Sequence, residues 1–323
     1  MGRIRLGIVG TGLMGRRLAV AAQETMLFSV AAAADHDVAR AERVARELGA
    51  VPYPSLERML EECTLDAIYV GLPHSLHAQA CATALRHGIH VLVDKPLCTT
   101  WDDAQIILDA AATSSAICMV GFSYRFRAEW VRAAELVRAG AIGTRLAASD
   151  AIFDALPATP AWYWDQQGGG VMHLQGHHAF DRLAWMIGRA PDRVAARVDR
   201  DAEGVDRAAS VLLSYGTAAT ATVSLGFGLG YEGGALGTSF VIQGERGVIE
   251  ISPRDGLRMT TASGDVESMA ASGDWPVQQM RRFAAAITDC EPFPGLADGT
   301  LALRAAVGAL QAGESRKWVD LDA

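Results

Sequence analysis

The chain has 323 residues, half of them apolar but only 7% aromatic, and a formal net charge of −8. Its 57 alanines and 33 glycines favour closely approaching helices and sheets, so an α/β body is expected over an aromatic-rich sandwich, and the apolar content excludes intrinsic disorder. The acidic balance argues against binding of nucleic acid, no run of 18 apolar residues is present to span a membrane, and the length suits about two domains.

Met1-Gly2-Arg3 runs straight into a strand with no apolar leader, and the five cysteines (Cys63, Cys81, Cys98, Cys118, Cys290) are odd in number with no CxxC pair. A cytoplasmic protein with reduced, mostly buried thiols is expected. Ile4–Val9 reads as an apolar strand, Leu13–Gln23 as a helix, Phe28–Ala34 as a second strand and Val38–Leu48 as a helix with Arg and Glu on its outer face. Ala67–Leu72, His90–Lys95 and Ala116–Phe122 continue as strands, with helices at Leu76–Arg86 and Trp101–Ala112, the latter capped by Thr100 ahead of Asp102-Asp103. Continuous apolar strands alternating with helices predict a parallel sheet covered on both faces.

After residue 122 the rhythm changes. A helix (Arg127–Ala139) leads to an extended segment (Thr144–Phe153), and Gly168-Gly169-Gly170 precedes a helix ending near Ile187. Strand-like stretches follow at Arg193–Asp199, Ala208–Tyr215, Ala218–Phe227, Ser239–Gln243 and Gly247–Ile251, with hairpin punctuation at Tyr215-Gly216 and Gly244-Glu245. Helices at Val277–Thr288 and Asp298–Gln311 close the chain. The expected architecture is a parallel α/β domain over 1–122 and a second domain over 123–323 built on an antiparallel sheet with few helices. The closing helices are free to pack back on the first domain.

Gly10-Thr11-Gly12-Leu13-Met14-Gly15 is G-x-G-x-x-G, directly after a strand and opening a helix. The first glycine permits the tight turn, the second lets a pyrophosphate approach the backbone, and the third lets the helix pack on the sheet. Asp35 ends the second strand 20 residues after Gly15, where a carboxylate accepts hydrogen bonds from ribose hydroxyls and repels a 2′-phosphate. NAD is therefore favoured over NADP, with His36 and Arg40 near enough to soften that preference.

Together with this loop, Leu72-Pro73-His74-Ser75-Leu76-His77, Val93-Asp94-Lys95-Pro96-Leu97, Met119-Val120-Gly121-Phe122 with Arg125-Phe126, and the run from Gly168 to Asp181 resemble the Gfo/Idh/MocA family of NAD(P)-dependent oxidoreductases over essentially the whole chain. The resemblance implies an N-terminal Rossmann domain over 1–122 and, over 123–323, an α/β substrate-binding and oligomerisation domain with a large open, mainly antiparallel sheet. The resemblance implies that Lys95, within a Glu-Lys-Pro motif written here with Asp94, is the active-site lysine. It stands at the end of the fourth predicted strand, on the edge where ligands bind in open α/β sheets. Its amine would exchange a proton with a substrate hydroxyl, a role that needs a pKa lowered by burial or a nearby positive charge. The family histidine maps to His178, which would orient the oxygen. The family aspartate of the same motif maps to Leu174, which cannot ionise, so proton relay would fall to Lys95 and His178, aided by His173 or His177. Asp181 on the same helix reads as structural.

The resemblance extends the cofactor contacts from Gly10, Thr11, Gly12, Leu13, Met14, Asp35 and His36 to Leu72, Pro73, His74, His77, Asp94 and Lys95, with capping or packing the alternative for His77. Trp162-Tyr163-Trp164-Asp165 precedes the triple glycine. Clustered aromatics with one acid suit a sugar or polyol ring, and domain-interface core is the other reading. Substrate contacts are expected from Tyr124, Trp162, Asp165 and His177. His173 and His177 share a helical spacing, but Leu174 stands where a metalloprotease has glutamate, so no metal is expected. The implied activity is dehydrogenation or reduction of a sugar, cyclitol or related compound by a homodimer or homotetramer joined through the open sheet. Two alternatives stay open: a glycosidase using transient oxidation by bound NAD, and a non-catalytic NAD-binding regulator.

Overall fold

The computed structural model describes residues 2–155, 161–164, 168–228, 238–264 and 266–321. Two compact units emerge, one formed by Met1–Ser123 with Asp274–Thr300 and the other by Tyr124–Gly273 with Leu301–Ala323.

The first unit holds β1 (Ile4–Val9), β2 (Phe28–Ala34), β3 (Val51–Tyr53), β4 (Ala67–Val70), β5 (His90–Asp94) and β6 (Cys118–Gly121) in one parallel sheet of order β3-β2-β1-β4-β5-β6. Its helices are α1 (Leu13–Glu24), α2 (Val38–Leu48), α3 (Leu56–Glu62), α4 (His77–Arg86) and α5 (Trp101–Ala112). Local chemistry sets their ends: the Asp37 side chain accepts from Arg40 N–H, left-handed Gly49 ends α2, and the Thr100 hydroxyl accepts from Asp103 N–H as expected. Much of the alanine content is used here. Ala32, Ala33 and Ala34 of β2 and Ala19 and Ala22 of α1 are all buried, so the helix lies close on the strand. The helix Trp275–Thr288 packs beside α1, with Phe283 stacked on Phe28 at 6.1 Å between ring centroids.

The short β3 and the helix after it were not expected. The lysine strand is consequently the fifth in sequence rather than the fourth. The three-residue β3 contains a proline and two exposed positions, so it lacks the apolar run that marks its neighbours.

The second unit is built on a nine-stranded sheet. Its strands are β7 (Arg145–Ala155), β8 (Arg193–Arg200), β9 (Asp206–Ser214), β10 (Thr220–Gly228), β11 (Ser239–Gly244), β12 (Gly247–Ser252), β13 (Gly256–Thr261), β14 (Val266–Met269) and β15 (Val319–Asp320). Their order is β14-β13-β12-β11-β7-β10-β9-β8-β15. Every pairing is antiparallel except β7 with β10. One face is apolar: Ile152, Val211, Leu213, Val223, Leu225, Phe240 and Ile242 are buried on it, and α7 (His177–Ile187) packs there beside α6 (Ala128–Arg138). The other face carries Ser149, Thr222 and Gln243 around a shallow groove of about 260 Å³, with Phe153 and Leu212 exposed nearby. Among the described residues no helix is long and apolar enough to cross a membrane. All five cysteines are free thiols, of which Cys81, Cys98 and Cys118 are buried, and burial pushes the Cys98 thiol up to about 12.

Candidate active site

The sheet order reverses beside β1, which makes the gap between β1 and β4 the place where ligands settle in doubly wound sheets. Gly10 turns the chain there with φ +89°, and a Cβ at this position would meet Gly71 O at 2.3 Å. A Cβ on Gly15 would stand 1.8 Å from Gly10 O, so this third glycine is required for the turn to close. Gly12 differs: nothing lies within 4 Å of its would-be Cβ. It precedes α1 with no side-chain cap and no acidic residue in the first turn, so the first N–H groups of α1 have no side-chain acceptor. Open space above a glycine, next to uncapped helical N–H groups, fits a dinucleotide pyrophosphate.

Asp35 sits at the end of β2, beside this loop. Its Oδ2 accepts from Thr11 N–H (2.8 Å) and Thr11 Oγ1 (2.9 Å), and its Oδ1 accepts from Asp37 N–H (3.0 Å) and the Arg40 guanidinium (3.2 Å). Burial favours the neutral acid, but these donors together hold the carboxyl below the usual aspartate range. The exposed His36 ring lies 3.2 Å from Oδ1. A cleft of about 470 Å³ opens alongside, lined by Thr11, Gly12, Leu13, Arg16, Arg40 and Arg43. Arg16 is paired to Glu47 on α2. Arg16 and Arg43 join Arg40 here without having been expected; the Arg40/Arg43 spacing of three on α2 is the signal in the sequence that points to the pair.

Register brings the other residues of this unit to the same edge. Val9 pairs with Val70 and Val70 with Val93, so Gly10, Gly71 and Asp94 follow level with one another. Strand spacing places the ends of β1 and β5 about 10 Å apart. Leu72 and Pro73 leave β4 and lead into a 3₁₀ turn, His74–Leu76, ahead of α4. His77 is fully buried and spans two loops, with Nδ1 2.8 Å from Pro96 O and Nε2 2.9 Å from Leu72 O. His74 is buried, its ring 5.7 Å from that of His77. Asp94 accepts from Lys95 N–H at 2.9 Å, and Lys95 precedes a cis proline. Burial pushes the Asp94 carboxyl up, opposed by the charges of Lys95 and His77.

The second unit carries the glycine-rich motif. Gly170 has φ +80°, and a Cβ there would stand 2.1 Å from Asp206 Oδ1, while Asp206 Oδ2 accepts from Met172 N–H at 2.7 Å. The carboxylate thus closes the turn that opens the helix. The helix itself departs from the expected plain α form: Met172–Gly176 is a π-helical turn leading into α7. Such turns recur at functional positions. It contains the buried Leu174 and stacks the buried His173 and His177 rings at 5.7 Å. Among the described residues no three His, Cys, Asp or Glu side chains are grouped to hold a metal. His178, next along, meets the Tyr124 ring edge-on at 5.0 Å. Asp181 is held by Arg125 through Nε (3.1 Å to each oxygen) and Nη2 (2.6 Å). Trp162 stacks on Tyr163 at 4.4 Å within the turn Ala161–Trp164. Asp165 lies outside the described residues.

Residues 4–122 match the family described as an oxidoreductase family with an NAD-binding Rossmann fold, and residues 130–250 match the GFO/IDH/MocA C-terminal domain. The chain is 36% identical over 231 residues to D-xylose 1-dehydrogenase (NADP(+)) 2 of Haloferax volcanii, covering 68% of this chain and 69% of that protein. It is 31% identical over 191 residues to the rhizopine catabolism protein MocA of Rhizobium meliloti, covering 59% of each. Levoglucosan dehydrogenase in complex with NADH and levoglucosan has the same fold, with a TM-score of 0.90 at 20% identity over all of both chains. The two domain matches and the xylose-dehydrogenase relative establish that this chain belongs to the Gfo/Idh/MocA oxidoreductase family.

Proposed function

We propose that this protein is a dehydrogenase or reductase acting on a CH–OH group of a sugar, cyclitol or related hydroxy or keto compound. The observation that carries the reading is the common edge of the first unit's sheet, where the Gly10–Gly15 loop and Lys95 stand on strands in register. Bound at that loop, the nicotinamide cofactor would supply or accept the hydride. Gly12, Leu13 and Met14 would hold the pyrophosphate by backbone N–H groups, while Gly10 makes the turn with its own N–H on Ala34 O and Thr11 ties the loop to Asp35. Leu72, Pro73, His74, His77 and Asp94 shape the edge beyond it. Lys95 Nζ takes the hydroxyl proton on oxidation and returns it on reduction, and His178 orients that oxygen. Leu174 removes the family's carboxylate from the relay, which leaves Lys95 as the proton acceptor. The stacked Trp162 contacts the substrate ring; His177, expected to do so, is fully buried against His173 and supports the site from within.

Asp35 alone favours NAD, but its environment supports NADP as well. A carboxylate offers about four acceptor positions, and four protein donors already take them. The cationic wall of Arg40 and Arg43 is the chemistry a 2′-phosphate requires. The relative named as NADP(+)-dependent is consistent with this. Both dinucleotides are therefore expected to bind.

The sheet's outward face, with Phe153 and Leu212 exposed among small polar residues, fits association with a second copy as a homodimer or homotetramer. Sedimentation velocity tests it: a Phe153→Glu/Leu212→Glu variant should sediment as a monomer.

The activity is tested by incubating the protein with NAD⁺ or NADP⁺ and a panel of pentoses, hexoses and inositols, scoring reduced nicotinamide. Net hydrolysis of a glycoside without reduced cofactor would favour the oxidation-assisted glycosidase. Cofactor binding without turnover of any compound would favour a regulator.

A further inference from the structure

The half-buried ring of Tyr124, expected to touch substrate, is packed against several of the second unit's own side chains. The Arg182 guanidinium lies over it at 4.1 Å from the centroid and that of Arg127 at 4.6 Å. Trp130 meets it edge-on at 5.2 Å and 70°, and His178 at 5.0 Å and 81°. Arg182 follows His178 by four residues on α7, so the two side chains rise from one face of that helix and converge on the same ring.

Beneath this cluster is an ion pair with no exposure. Arg182 Nε donates to Asp150 Oδ2 at 2.9 Å and Nη2 to Oδ1 at 2.6 Å, both side chains having zero accessible surface. Asp150 belongs to β7, so the pair fixes the helix to the sheet. Burying two charges offsets most of what their attraction gains, and apolar replacements of such pairs are commonly neutral or stabilising. Stability therefore does not explain the pair. What it supplies is a guanidinium plane held at two points, on which an aromatic ring rests in one orientation. Arg125, the residue after Tyr124, clamps Asp181, the residue before Arg182. The turn carrying Tyr124 and the helix carrying His178 are thus tied twice, by neighbouring residues.

We propose that Tyr124 is a positioning residue for His178, held against it by the buried Asp150–Arg182 pair. The proposal rests on the reading of His178 as the group that orients the substrate oxygen. Tyr124 touches no reacting atom; it limits the rotation of the imidazole through its ring, while its hydroxyl is directed to Arg182 and makes no part of the contact with His178.

The test uses the intact protein and two readouts. In spectra of ¹³C-histidine-labelled protein, the His178 resonance, identified by its loss in His178→Gln, is expected to keep its position in Tyr124→Phe and to be displaced and broadened in Tyr124→Leu. With D-xylose and NADP⁺, Tyr124→Leu is expected to lower kcat about ten- to a hundredfold. The cofactor KM should stay unchanged, and Tyr124→Phe should restore kcat. The double variant Asp150→Leu/Arg182→Met should keep or raise Tm while showing the spectrum of Tyr124→Leu. An unchanged His178 resonance in Tyr124→Leu, or wild-type spectrum and kcat in a stable double variant, would overturn the proposal. The resonance needs no substrate, so it decides the point even if D-xylose is not turned over. Unaltered kcat in His178→Gln would instead remove the orienting role of His178 and leave the spectral result to judge Tyr124.

Discussion

Thr11 gives Asp35 two hydrogen bonds on one oxygen, from its backbone N–H at 2.8 Å and its hydroxyl at 2.9 Å. The other oxygen takes Asp37 N–H and Arg40, so the carboxylate that ends β2 is committed within the protein. Arg40→Ala and Arg43→Ala should each lower kcat/KM for NADP about tenfold, or about 1.4 kcal/mol, while NAD changes less than about twofold. Equal losses for both cofactors would show that the arginines do not read the 2′-phosphate.

The three loop glycines should separate into structural and ligand-facing positions. Gly15→Ala puts a methyl into Gly10 O, and a large drop in Tm is expected by thermal unfolding. Gly12 has φ −67° and open space above it, so Gly12→Ala should retain Tm and weaken dinucleotide binding by calorimetry about tenfold or more. Undiminished affinity in Gly12→Ala would mean that the pyrophosphate lies elsewhere.

His77 should matter for stability in proportion to the carbonyls it satisfies. The neutral imidazole donates through one nitrogen only, so His77→Ala takes the donor from one of the two carbonyls it faces, Pro96 O and Leu72 O, and leaves a cavity in a buried site, at an expected cost of about 2–4 kcal/mol in denaturant unfolding. A cost below about 1 kcal/mol would show that the two loops do not depend on it.

The same residue gives a pH dependence. Burial holds the His77 imidazole below its ordinary value of 6.5, despite the pull of Pro96 O, Asp94 and Leu72 O toward protonation. The unfolded chain then binds the proton more readily than the folded one. Stability is complete above about 6.5 and lost as pH falls through the lower folded value. Wild-type Tm should fall between about pH 7 and 5, and His77→Gln should fall less steeply from a lower start. His90 acts in the same direction, and Asp94, raised by burial, in the opposite one. The wild-type-minus-variant slope is therefore the quantity to compare, and identical slopes would contradict the assignment.

The sequence disclosed what is local. Phe28–Ala34, Val38–Leu48 and Trp101–Ala112 were readable to the residue from an apolar run, a charged outer face and the Thr100 cap respectively. The strands Gly256–Thr261 and Val266–Met269 were not, since Arg258, Glu267 and several threonines and serines interrupt any apolar pattern. Nor was the parallel pairing of β7 with β10, which depends on a crossover that leaves no local trace. The placement of Gly10, Asp35 and Lys95 just beyond strand ends was legible from motif and apolar run. The occupancy of Asp35, the two-carbonyl span of His77 and the packing of Tyr124 on Arg182 and His178 were not, because their partners come from other segments and only folding brings them together.

The most direct test of proton transfer by Lys95 is the rate of nicotinamide reduction by wild-type protein and Lys95→Ala on a compound from the sugar and inositol panel. Loss of the proton acceptor should lower kcat about 10²–10⁴-fold, far more than any loss of dinucleotide affinity from the missing Lys95 contact. A near-wild-type kcat in Lys95→Ala would contradict it.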